Sequence, residues 1–213
     1  MTQHPTSKEP LAIGVLALQG AYEAHARALR ALGAEPRLIR TPDELAGLGG
    51  LIMPGGESTT MLKFLERNGF FDILKSFAQT TPTFGTCAGA ILLATEVENP
   101  PQRSLGLLPI TVERNAYGRQ IDSSILEEET TLPGGPLEMV FIRAPRIRAA
   151  DPAVETLASR DGFPTLVRLG HLMAATFHPE LSADTRVHQL FLETVRRFKE
   201  GQIPGAITSS SHR

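Results

Sequence analysis

The chain contains no tryptophan, two tyrosines and a single cysteine in 213 residues. One cysteine excludes an intrachain disulfide and a cysteine-based zinc cage, and it fits a reducing compartment. No apolar run approaches the roughly 20 residues of a membrane span. The opening Met1-Thr2-Gln3-His4-Pro5 lacks the pattern of a secretion signal. The formal net charge is −2, so the chain carries no excess of basic charge for nucleic acid. Lysine is scarce, four against 17 arginines, a bias from which no function follows. The expected setting is cytoplasmic, with neither membrane nor nucleic acid as partner.

The length and the ordinary share of apolar residues are those of one domain with a substantial core. Residues 1–10 and 204–213 are polar and read as loose tails, leaving 11–203 as a single domain. The apolar run Leu11–Leu18 reads as a strand covered on both faces. An alanine-rich helix follows over Ala21–Leu32, stopped by Gly33. Strands are expected at Glu35–Arg40 and Gly50–Met53. A helix capped by Ser58 and ended by Asn68-Gly69 comes next, then a shorter helix over 70–79. This alternation predicts an α/β fold with a mostly parallel sheet and helices on both faces.

After about residue 100 the pattern changes. Leu105–Val112, Met139–Ile142, Val154–Ser159, Thr165–Leu169 and His171–Phe177 read as shorter strands. Asp161-Gly162 reads as a hairpin turn. An antiparallel extension in the second half is therefore expected, closed by a helix over 184–199 with Val187, Leu190, Phe191, Val195 and Phe198 on one face.

The lone cysteine stands in Gly85-Thr86-Cys87-Ala88-Gly89. Pro82-Thr83-Phe84 can end a buried strand, and Ala90-Ile91-Leu92-Leu93-Ala94 can form a helix. Strand, glycine-flanked nucleophile and helix is the layout of a nucleophile elbow. The alternative is a cysteine that serves as a small buried apolar residue. Far downstream, His178-Pro179-Glu180 follows an apolar strand. There Pro179 stiffens the turn, and Glu180 can accept a hydrogen bond from one imidazole nitrogen while the other faces the sulfur. A surface histidine beside a solvated carboxylate is the competing reading. The remaining histidines lack such a setting; His25 and His188 are expected on helices as surface residues.

Pro54-Gly55-Gly56-Glu57-Ser58 lies at the carboxyl end of a strand, where open parallel sheets bind ligands. Adjacent glycines can aim backbone N–H groups at an oxyanion, or the segment is an ordinary turn with Ser58 as a helix cap. A phosphate loop is disfavoured because no Gly-Lys-Ser/Thr follows. A substrate carboxylate needs a cation, and Arg114, Arg119, Arg143, Arg146 and Arg148 are all available. Spacing does not choose among them.

Seven ordered blocks resemble the class I glutamine amidotransferases, and among them the glutaminase subunits of pyridoxal 5′-phosphate synthase. They are Gly14–Gly20, Leu51–Thr60, Phe84–Gly89, Val112–Asn115, Tyr117–Gln120, Phe141–Pro145 and Phe177–Leu181. The resemblance covers roughly residues 11–200. It implies a flavodoxin-like three-layer αβα sandwich. It further implies hydrolysis of L-glutamine to L-glutamate and ammonia, with ammonia channelled to a PdxS-type synthase subunit for vitamin B6 synthesis. The triad would be Cys87, His178 and Glu180. Matching positions place substrate contacts at Gly56, Glu57, Ser58, Arg114, Ile142 and Arg143, and oxyanion donors at Gly56 and Ala88. Gln19 matches a partner-interface residue that helps organise the oxyanion site. No metal and no organic cofactor are expected.

Other readings compete. The chain could serve another synthase, such as imidazole glycerol phosphate synthase. It could be a stress-type cysteine hydrolase with an elbow cysteine, or a regulatory scaffold on an amidotransferase fold. The His178-Pro179-Glu180 block argues against the second, and the intact Cys87, His178 and Glu180 against the third.

Overall fold

In the computed structural model, which describes residues 10–116 and 123–203, the first apolar run forms β1 (Ala12–Leu16) and the alanine-rich segment forms α1 (Tyr22–Ala31). Gly33 ends this helix in the left-handed region at φ 76°. Its N–H donates to Arg30 O and that of Ala34 to Leu29 O, both at 3.0 Å, which satisfies carbonyls the helix leaves open. β2 (Glu35–Ile39), β3 (Gly50–Met53), α2 (Ser58–Leu65), α3 (Phe70–Thr80) and β4 (Thr83–Thr86) follow. The cap of α2 is Glu57 and not Ser58: the Glu57 carboxylate accepts from the N–H groups of Thr59 and Thr60.

α4 (Ala88–Leu93) is short and runs directly into β5 (Ala94–Glu98). Then come β6 (Leu108–Glu113), β7 (Ser123–Glu128), β8 (Leu137–Ile142), β9 (Arg146–Ala150), β10 (Glu155–Arg160), β11 (Phe163–Leu169), β12 (Leu172–Ala175) and α5 (Arg186–Lys199). The β10–β11 turn is Asp161-Gly162, with φ of 52° and 79°. Two successive positive φ values match the right-handed twist of the flanking strands, and Asp-Gly tolerates them.

The main sheet has the order β10-β11-β12-β4-β3-β1-β2. β12, β4, β3, β1 and β2 run parallel, while β10 and β11 pair antiparallel at the far edge. Read from β2, the order begins 2-1-3-4, as in flavodoxin-like sheets. Two smaller sheets, β5-β6-β9 and β7-β8, form the extension in the second half. The β5–β6 pair is parallel, so that extension is not wholly antiparallel.

Strand periodicity builds the three layers. Leu16, Leu51 and Met53 pack with Met61, Leu65, Phe71 and Leu74 from α2 and α3. Their neighbours Ile13, Val15 and Ile52 face the opposite way, onto Leu29 of α1 and Val187, Phe191 and Val195 of α5. α1 and α5 therefore share one face of the sheet. Among the described residues no helix is long and apolar enough to cross a membrane. The expected tails lie outside the described residues, apart from Pro10, as do Tyr117–Gln120 and with them Arg119.

Candidate active site

The carboxyl ends of β3, β4 and β12 converge on one cleft. Cys87 lies between β4 and α4 with φ 48° and ψ −102°, a region costly for a residue with a Cβ. Three constraints hold it there. Its N–H donates to Ala175 O of β12 at 2.8 Å, and its carbonyl accepts from Ile91 N at 3.2 Å. The flanking glycines leave no alternative path: a Cβ on Gly85 would overlap the backbone of Gly89, and one on Gly89 would overlap the carbonyl of Met53. The elbow is thus a strained turn over-determined by close backbone packing.

His178 follows β12, and its N–H donates to Val140 O of β8 at 2.8 Å. Its imidazole Nδ1 donates to Glu180 Oε1 at 2.7 Å, and its ring lines the same cleft as Cys87. Glu180 sits in a 3-10 turn over Pro179–Leu181, with its side chain fully buried. Burial works against an imidazolium here, yet the interactions with Cys87 and Glu180 and the charges on both outweigh it. They raise the His178 pKa to about 10. Burial likewise opposes the Glu180 carboxylate, and the facing imidazoles more than offset it, holding its pKa below the usual range. Histidine and carboxylate are therefore coupled, with Cys87 in the same cleft.

A cavity of about 210 Å³ opens over Cys87. Gly56, Glu57, Ser58, Arg114, Ile142 and Arg143 all line it, as do His178 and two residues not singled out in the sequence, Ile91 and Asn115. Arg146 and Arg148 do not line it. Arg114, delivered by β6, donates to Thr59 Oγ1 at 2.8 Å and lies 3.6 Å from Glu57 Oε1. Burial opposes the Glu57 charge, but donors from Thr60 and Thr59 hold its pKa at about 2, so the cleft presents a carboxylate beside a guanidinium. Arg143, just after β8, has φ 44°, a second strained residue at the cleft wall. Ser58 donates its hydroxyl to Gln102 Oε1 at 2.9 Å. Ala88 opens α4 beside Cys87 but does not itself line the cavity.

Gln19 bridges two loops. Its Oε1 accepts from Glu57 N at 3.0 Å, and its amide packs over Gly56, where a Cβ would overlap it. Gly55 has a sharper requirement. A Cβ there would overlap His178 Cε1 and stand 3.2 Å from Cys87 Cβ. Gly55→Ala is expected to leave the fold intact while displacing the imidazole. A misplacement of about 1 Å lowers kcat on the order of 10²-fold. Steady-state kinetics beside a thermal melt check this, and an unchanged kcat contradicts it.

One expectation is overturned. His25 on α1 and His188 on α5 are not surface residues: they are 0% and 1% exposed and hydrogen-bond to each other. The sheet face shared by α1 and α5 buries them directly behind Glu180.

Comparison with known proteins shows the family of the chain. Residues 15–197 match the model of the SNO glutamine amidotransferase family. A protein of Koribacter versatilis named pyridoxal 5′-phosphate synthase subunit PdxT is 58% identical over 190 residues, spanning 89% of this chain and 98% of its own. One of the same name from Solibacter usitatus is 53% identical over 187 residues, spanning 84% and 97%. A crystal structure of a glutamine amidotransferase superposes with a TM-score of 0.81 at 45% identity, over 86% of this chain and 98% of that one. The chain belongs to the SNO glutamine amidotransferase family.

Proposed function

We propose that the chain hydrolyses L-glutamine to L-glutamate and ammonia with Cys87 as nucleophile, and that the ammonia passes to a PdxS-type subunit building pyridoxal 5′-phosphate. The observation that carries this reading is the strained Cys87 sharing a cleft with His178, which is hydrogen-bonded to Glu180 behind it, in a cleft that offers both signs of charge. The names of the relatives supply the partner and the pathway.

The reactive form is the Cys87 thiolate, its proton taken by His178. The thiolate attacks the side-chain amide carbon, forming a C–S bond. Backbone N–H groups of Gly56 and Ala88 receive the negative oxygen. The C–N bond then breaks as His178 gives its proton to nitrogen, and ammonia leaves. Acylation removes the sulfur charge that had raised the His178 pKa, so the ring is now a base. It takes a proton from water, whose oxygen attacks the thioester carbon. The C–S bond breaks, glutamate leaves, and the thiolate–imidazolium pair is restored. The new γ-carboxyl group of glutamate gives its proton to ammonia, so the products are carboxylate and ammonium. Arg114 and Arg143 suit the α-carboxylate of glutamine and Glu57 its α-ammonium.

Gln19 tethers the Glu57 backbone, and through it the Gly56 donor. Partner contact at Gln19 would thus align the oxyanion site. A poorly placed donor costs on the order of 10²–10³ in rate. The expected result is weak glutamine hydrolysis by the isolated chain, strong stimulation by the synthase subunit, and selective loss of that stimulation in Gln19→Ala. Ammonia release with and without the subunit, at saturating glutamine, measures it. Equal rates reject the activation, and no hydrolysis in either case rejects the function.

A further inference from the structure

A line of histidines continues behind the triad. His25 Nε2 lies 3.3 Å from Glu180 Oε2, the oxygen that His178 does not occupy, and 3.2 Å from Thr86 Oγ1. His25 Nδ1 lies 3.0 Å from His188 Nε2. Among the described residues neither His188 Nδ1 nor Glu180 Oε2 has a hydrogen-bond partner; His25 Nε2 faces Glu180 Oε2 at ion-pair distance while its hydrogen bond is to Thr86.

These contacts fix where the protons are. A neutral imidazole carries one N–H and one bare acceptor nitrogen. If the His188 proton sat on Nδ1, a buried donor would be orphaned, a costlier defect than a bare acceptor. The proton therefore belongs on His188 Nε2, which donates to His25 Nδ1. That leaves the His25 proton on Nε2, directed at Glu180 and Thr86. The other end of the line demands the same arrangement, because a bare Nε2 would turn its lone pair toward a carboxylate oxygen 3.3 Å away. Two independent constraints select one tautomer.

We propose that His25, set in this tautomer by His188, is a positioning residue that turns its Nε2–H toward the free oxygen of Glu180 and so holds the carboxylate in line with His178. The inference rests on the Cys87–His178–Glu180 reading of the site. The titratable groups facing His25 are Glu180 and His178 from the turn after β12 and His188 from α5. Burial lowers the His25 pKa to about 4 and that of His188 to about 3, so both rings are neutral at neutral pH. What reaches Glu180 is an N–H donor and not a second full positive charge.

Two conservative variants separate positioning from simple packing. In His25→Gln the amide nitrogen reaches the place of Nε2. In His25→Asn it reaches only the place of Nδ1, so the contact toward Glu180 is lost while a polar side chain remains. With the synthase subunit present, His25→Asn is expected to lower kcat about 10- to 100-fold, the worth of a hydrogen bond to a charged group. The glutamine KM should hold, because His25 does not line the cleft. Losing a donor makes the Glu180 carboxylate easier to protonate, so the acid limb of the kcat/KM profile moves to higher pH. His25→Gln is expected to stay near wild type in both readouts. Equal behaviour of the two variants, whether both active or both impaired, overturns the proposal, and so does a loss confined to His25→Gln. Cys87→Ala in the same assay keeps the two readings apart. Activity there removes the triad itself, whereas an inactive Cys87→Ala with indistinguishable His25 variants removes only the positioning role.

Discussion

Cys87→Ser is expected to fold, to bind the synthase subunit and to lose glutamine hydrolysis by roughly 10⁴-fold or more, the scale on which removal of a triad nucleophile acts. The hydroxyl is nearly isosteric, so the packing of the elbow survives. Cys87 N–H still reaches Ala175 O, and Gly85 and Gly89 still clear the backbone. What is lost is the anion. A serine hydroxyl does not give up its proton to form a resting ion pair with His178, whereas a thiol readily does. Ammonia release by the variant, with a thermal melt to confirm folding, decides the matter. Turnover near that of wild type would remove Cys87 from the mechanism.

Glu180→Gln should lower kcat by roughly 10²–10⁴-fold. An amide oxygen can still accept from His178 Nδ1, so orientation is partly kept, but the charge is gone. In the native site Glu180 raises the His178 pKa both by this hydrogen bond and by its charge. Removing the charge lowers that pKa from about 10. The alkaline limb of the kcat/KM profile, where His178 loses the proton needed by departing ammonia, therefore moves to lower pH. The buried oxygen facing His25 also becomes an amide group in a setting built for an anion. His178→Asn removes acid and base together and should leave less activity still. Retention of activity in both variants, or an alkaline limb that stays in place in Glu180→Gln, contradicts this account.

The parts of the fold legible in the sequence were those where burial is one-sided or complete. β3 is buried throughout, and its apolar run Gly50–Met53 is bounded by glycines and proline, so its limits coincide with those expected. β5, β7 and β9 went unseen. Ser123–Glu128 buries no residue fully, and Arg146–Ala150 buries only Ile147, so neither carries a strong apolar alternation. Pairing with a neighbour makes each a strand, and that pairing is non-local. β5 was masked differently: Ala94 continues the apolar run of α4, and only the structure shows the chain turning there.

The site followed the same logic. Glycine spacing around Cys87 and the His178-Pro179-Glu180 turn are local signals, and the cleft wall came from the family resemblance. Polarity alone puts His25 and His188 at the surface, whereas their positions along the helices put them inside. His188 stands four residues before Leu192 and next to Val187, on the buried stripe of α5. His25 stands four before Leu29 on that of α1. Periodicity alone could have buried both. What it could not supply is that α1 and α5 lie side by side, which is set by the order of strands in the sheet.

The most direct test is to trap the acyl-enzyme. The wild-type chain with its synthase subunit is mixed with glutamine, quenched in acid during turnover, digested and weighed by mass spectrometry. The account predicts a glutamyl adduct on the peptide carrying Cys87, absent in Cys87→Ser and accumulating if His178→Asn slows deacylation more than acylation. Glutamine hydrolysis at full rate with no adduct on that peptide, together with undiminished turnover in Cys87→Ser, would contradict it.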